Sequence, residues 1–105
     1  MNKKGRDLLI WAGWNLEVIG NHKSGKFEYW WTPDGEEHLR LGVEPKLQSL
    51  DLLISIIEAK CKKYSLLNLN GKYAVILGEN RKDKPKYETS LIVAIQKALL
   101  KLMQQ

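Results

Sequence analysis

The sequence predicts an α+β fold in which two β-hairpins form an antiparallel sheet with helices on both faces. The expected order is helix, strand, strand, helix, strand, strand, helix: an α/β/α sandwich over residues 1–105. Three observations predict it. Asn70-Gly71 sits between two apolar runs, the strongest short-range hairpin signal. Thr89 to Gln105 carries apolar residues at helical spacing almost all round. Apolar residues also fall on both sides of each predicted ribbon, and a sheet of that kind needs cover on both faces.

Arg6 to Ala12 reads as a short helix stopped by Gly13. Trp14, Leu16 and Val18 then alternate with Asn15 and Glu17, as a strand does. Gly20 to Gly25 is a polar, glycine-bounded loop. Phe27, Tyr29 and Trp31 alternate with Glu28 and Trp30, giving a second strand and a hairpin. Thr32-Pro33-Asp34-Gly35 is a turn, because Pro33 pre-sets φ and Gly35 accepts positive φ. Leu39 and Leu41 suggest a short third strand.

Pro45 interrupts the chain before a middle helix with Ser49 as N-cap and Asp51 in its first turn, where a carboxylate complements the helix dipole. Leu50, Leu53, Ile54, Ile57 and Cys61 follow the rhythm of one buried face, and Leu52 and Ile56 widen it. Tyr64 to Leu69 and Lys72 to Leu77 pair across Asn70-Gly71, so that Leu67 faces Ala74, Leu66 faces Val75 and Tyr64 faces Leu77. Glu79 to Lys86 is charged, carries Pro85, and reads as an exposed loop. Thr89 and Ser90 offer N-cap oxygens to a last helix, where Leu91, Ile95, Ala98, Leu99 and Leu102 make the core face.

The order of elements and several short motifs resemble the phage α/β/α sandwich domain, a small domain of bacteriophage and prophage proteins without an assigned activity. The matching pieces are Leu8-Leu9-Ile10-Trp11-Ala12-Gly13-Trp14, the aromatic strand closing on Thr32-Pro33-Asp34-Gly35, the helix from Ser49, and Glu88-Thr89-Ser90-Leu91-Ile92-Val93-Ala94-Ile95. The chain departs from the pattern at Leu47-Gln48-Ser49, where such proteins tend to have Tyr-Ser-Thr, and at Gln96, where cysteine is common. The resemblance implies a fold and a phage or prophage origin, and it implies no mechanism.

Composition narrows the function classes. With 105 residues there is room for one core, and 44% hydrophobic with 28% charged residues is a globular balance. One cysteine, Cys61, permits no internal disulfide and suits a reducing compartment. Lys3 and Lys4 precede an apolar run that ends at Trp14, too short for a secretory core, and nothing approaches the roughly 18 apolar residues of a membrane span. The expected location is the host cytoplasm. The net charge of +5 admits nucleic acid or an acidic protein as partner, but the basic residues are dispersed.

No motif carries chemistry. Gly20-Asn21-His22-Lys23-Ser24-Gly25-Lys26 satisfies G-x-x-x-x-G-K, yet Phe27 and a strand follow where a phosphate-binding loop needs Ser or Thr and a helix. His22, His38 and Cys61 lack the spacing of metal ligands. Cys61 falls on the apolar stripe of the middle helix, a position for a small core residue rather than a nucleophile. Asp34, Glu36 and Glu37 share an exposed turn, without the burial that separates the pKa values of catalytic acids. The expectation is a binding protein, with no enzymatic activity, cofactor or metal. The binding residues it nominates are Tyr29, Trp30 and Trp31 with Lys23 and Lys26 on the first hairpin, and Arg81, Lys82, Lys84 and Lys86 on the charged loop. A host protein is the expected partner, with nucleic acid or a nucleotide as the alternative.

Overall fold

The structure, a computed structural model, describes residues 2–21, 25–78 and 85–105. Its elements follow the predicted order: α1 (Lys3–Trp11), β1 (Asn15–Asn21), β2 (Gly25–Trp31), α2 (Leu50–Lys60), β3 (Tyr64–Leu69), β4 (Lys72–Leu77) and α3 (Leu91–Met103). The fold is α+β. The ladders close within each hairpin, so the strands form two two-stranded antiparallel sheets, β1–β2 and β3–β4, where one sheet was expected. Backbone contacts divide the chain into two compact units, Met1–Lys46 and Leu47–Gln105.

In the first unit α1 begins three residues before the predicted start, because Asn2 caps it: its Oδ1 accepts the Gly5 amide at 2.8 Å. The other end is a Schellman stop. Gly13 takes φ 104°, its amide donates to Ile10 O, and the Trp14 amide donates to Leu9 O at 2.9 Å. α1 then turns back along β1. The hairpin pairs Leu16 with Trp30, Glu17 with Tyr29 and Ile19 with Phe27. Gly20 allows its narrow end, since a Cβ there would collide with the Gly25 carbonyl oxygen. The third strand predicted at Leu39 and Leu41 is reduced to one bridge, Trp31 with His38, followed by Leu39 N donating to Trp30 O and Gly42 N to Glu28 O. The returning chain thus lines the outer edge of β2 without forming a strand. Gly5, Leu8, Leu9, Ala12 and Trp30 are the buried residues among the described residues of this unit's elements and their caps.

In the second unit the β3–β4 ladder has the predicted bounds and register, with Leu67 opposite Ala74 and Tyr64 opposite Leu77. Asn70 (φ 51°) and Gly71 (φ 80°) hold the left-handed conformations of a type I′ turn. Ser49 caps α2 and Ser90 caps α3, each accepting the amide three residues on. α3 packs on β4 and α2 packs on α3. Leu53, Ile56, Ile57, Ala74, Ala94, Ile95 and Leu99 form the core. Leu53 and Ile57 are buried on the predicted stripe of α2 and Ile56 widens it as expected, while Leu50, placed on the same stripe, is exposed. Cys61 is the C-cap, in extended conformation and half-buried, because the helix ends at Lys60. Burial pushes its thiol pKa up. Two links fasten α3 to the preceding chain: Gln96 Nε2 donates to Leu47 O at 2.7 Å, and Lys97 pairs with Glu88 at 2.9 Å. Glu88 and Tyr73 in turn exchange both backbone hydrogen bonds at the edge of β4.

Candidate functional site

Side chains alternate along a strand, so β2 deals its aromatic residues to two faces. Trp30 and Glu28 share one face, and Phe27, Tyr29 and Trp31 share the other. α1 lies on the Trp30 side, where Arg6 Nη2 reaches Glu28 Oε1 at 3.4 Å. Trp30 is 1% exposed, and its indole nitrogen has no hydrogen-bond partner among the described residues. This corrects the nomination of Trp30 as a surface contact: it is core. Trp31, its neighbour, emerges on the opposite side.

That opposite face is built by cross-strand pairing. Ile19 stands opposite Phe27, and these two are 45% and 44% exposed, an apolar pair open to water. Glu17 stands opposite Tyr29, and its Oε2 accepts the Trp31 Nε1 proton diagonally across the ladder at 2.7 Å. The indole is thereby held in one orientation with its ring half-buried.

The turn after β2 completes the site. Gly35 N donates to Thr32 O and Thr32 N to Glu37 O, both at 2.9 Å, which reverses the chain. Asp34 stabilises the reversal: its carboxylate accepts the Thr32 hydroxyl and, at 3.0 Å, the Glu36 amide. These bonds, the Thr32 hydroxyl first, hold the Asp34 pKa below the usual carboxylate range. Pro33 lies against Gly13, where a Cβ would stand 3.3 Å from Pro33 Cβ, so the turn rests on the end of α1. The reversal delivers His38 beside Trp31. Its ring sits 4.8 Å from the Trp31 ring at 59° and 5.2 Å from the Tyr29 ring at 77°. His38 Nδ1 lies 2.9 Å from Leu39 O; a carbonyl only accepts, so Nδ1 carries the proton.

The result is an aromatic ledge, Tyr29–His38–Trp31, continued by Phe27 and Ile19 and bordered by Glu17. Of the nominated residues it unites Tyr29 and Trp31. Lys26 is exposed but, by strand parity, lies on the Trp30 side. Lys86 is exposed in the other unit, and Lys23, Arg81, Lys82 and Lys84 lie outside the described residues. The nominations missed Glu17, Ile19, Phe27 and His38. Alternation alone places the first three beside Tyr29 and Trp31, whereas His38 arrives only through the geometry of the turn.

Among the described residues no three His, Cys, Asp or Glu side chains gather as a metal site, and no helix is long and apolar enough to cross a membrane. Lys26 lies in a strand, so no helix follows the G-x-x-x-x-G-K match. Compared with known protein families, curated proteins and solved structures, the chain matches none of them.

Proposed function

We propose that this chain is a small phage or prophage accessory protein that acts in the host cytoplasm by binding a host protein, without catalysis. Inhibition of a host defence system is the most concrete form of that role. The observation that carries the binding reading is the exposed face of the first hairpin. Ile19 and Phe27 face water there, and Tyr29, His38 and Trp31 are fixed against one another and against Glu17. Rigid, half-exposed aromatic rings lose little entropy on binding and are enriched at energetic hot spots.

Charge favours protein over nucleic acid at this face. Residues 1–46 carry seven Lys or Arg and seven Asp or Glu, a formal net charge of zero. Four of the carboxylates, Glu17, Asp34, Glu36 and Glu37, belong to the ledge or to the turn that continues from it. Among the described residues, a phosphate backbone meets no cationic groove there. A nucleic-acid or nucleotide partner suits the second unit better, since residues 47–105 carry ten basic and five acidic residues and all of the net charge.

The test is affinity capture from a bacterial host lysate with wild type, Tyr29→Ala and Trp31→Ala at two salt concentrations. Retention of one host protein by wild type and its loss from both variants, with their thermal melts unchanged, supports the reading. Capture of nucleic acid that washes off steeply with salt, and equally from all three, supports the alternative.

A further inference from the structure

The aromatic ledge is also acidic. Glu17, Asp34, Glu36 and Glu37 are exposed, and each belongs to the ledge or to the turn that continues from it. In the segments that build this face, residues 15–19 and 27–40, Arg40 is the one Lys or Arg. The remaining carboxylate of those segments, Glu28, lies on the Trp30 face by strand parity. It pairs there with Arg6 at 3.4 Å, and Lys26 shares that face. Negative charge therefore gathers around the ledge, although the unit as a whole is neutral.

The rings and Glu17 are arranged to receive a cation. Tyr29 and Trp31 meet His38 at 77° and 59°, so the three ring planes are turned away from one another instead of being stacked. The face of an aromatic ring is the negative part of its quadrupole and attracts a cation within about 6 Å of its centre. Glu17 is tied to this surface by the Trp31 Nε1 proton at 2.7 Å, which occupies one of the roughly four acceptor positions of a carboxylate. A planar guanidinium stacked on the indole has the Glu17 carboxylate within reach of its N–H groups. Ile19 and Phe27, 45% and 44% exposed, continue the surface as an apolar contact.

We propose that the ledge receives a basic segment of a protein partner, with an arginine stacked on Trp31 and paired with Glu17 and a neighbouring apolar side chain on Ile19 and Phe27. This rests on the reading of the ledge as the binding face and adds the chemistry of what it binds. A lysine at the same place supplies the charge without the planar stacking surface. An acidic segment meets like charge.

Nuclear magnetic resonance titration of the isotope-labelled full chain with three blocked peptides tests it, leucine alternating with arginine, with lysine or with glutamate. The arginine peptide is expected to bind with a Kd below about 1 mM and to shift the Trp31 indole N–H. The lysine peptide is expected to bind about threefold more weakly, and the glutamate peptide not at all. Glu17→Gln keeps an acceptor for the indole and removes the charge, and is expected to weaken the arginine peptide by about threefold or more. Trp31→Ala is expected to weaken it by about fivefold or more. If Trp31→Ala fails to melt cooperatively, Glu17→Gln and the indole shift decide. The proposal is overturned if the arginine peptide leaves the indole N–H unmoved, if the lysine or glutamate peptide binds equally, or if Glu17→Gln changes nothing. Capture of a host protein that depends on Tyr29 and Trp31 would in that case leave the ledge a binding face, and only the basic segment would fall.

Discussion

At the scale of the residue, Trp30 and Trp31 follow one another in β2 and meet opposite environments. Trp30 is buried on the face that carries the Arg6–Glu28 pair, its indole N–H without a partner among the described residues, and Trp31 stands on the ledge with its N–H bound to Glu17. Trp30→Ala is therefore expected to cost about 3–5 kcal/mol of stability. Trp30→Phe is expected to cost clearly less, because it keeps most of the packing and removes the orphan donor. Chemical denaturation of both variants checks this, and equal losses would show that the orphan N–H carries no penalty. Alternation made it legible that the two tryptophans part company. Which one is buried was not legible, because the period-two pattern is the same for either assignment. Asp34 gives a second residue-scale prediction. Its folded pKa is depressed, so the stability it confers is complete above the ordinary carboxylate range and is lost as pH falls through the lowered folded value. Melting temperatures measured from pH 6 down to about pH 2 are expected to fall less steeply for Asp34→Ala than for wild type.

At the scale of the element, the β3–β4 hairpin was the most legible part of the chain. A two-residue turn fixes register, and Asn70-Gly71 admits the positive φ angles that turn requires. Gly71→Val forces a β-branched residue to φ near 80° and is expected to cost about 1–3 kcal/mol in a thermal or urea melt. No measurable loss would mean that the turn tolerates another geometry. The helices were legible in existence and less so in extent. α2 ends at Lys60, which takes Cys61 off the helical stripe, and Leu50 in its first turn is exposed. Tertiary packing sets how much of the stripe is covered, and periodicity within one short helix does not resolve it. The start of α1 was missed because Asn2 caps it ahead of a charged first turn, which carries no apolar rhythm to mark a helix.

At the scale of the whole molecule, surface character is segregated along the chain. The first unit is neutral and presents an aromatic face; the second carries the net positive charge. The α+β class and the order of elements were legible, because each hairpin and each helix has its own local signal. The aromatic half of the ledge was legible as composition. Its assembly was not, since it depends on a chain reversal that brings His38 to Trp31 across seven residues of sequence. Separate patches of different chemistry in so small a chain suit a protein whose work is recognition.

The most direct test of that account is the affinity for the proposed host-protein partner, once one is captured, measured by calorimetry for wild type, Trp31→Ala and Leu69→Ala. Leu69 is the control: it is 56% exposed and lies in the second unit, away from the ledge residues in sequence. The account predicts that Trp31→Ala weakens binding by about 2 kcal/mol or more, as a hot-spot aromatic does, while Leu69→Ala binds like wild type and both remain folded. Full affinity in a folded Trp31→Ala variant would contradict it.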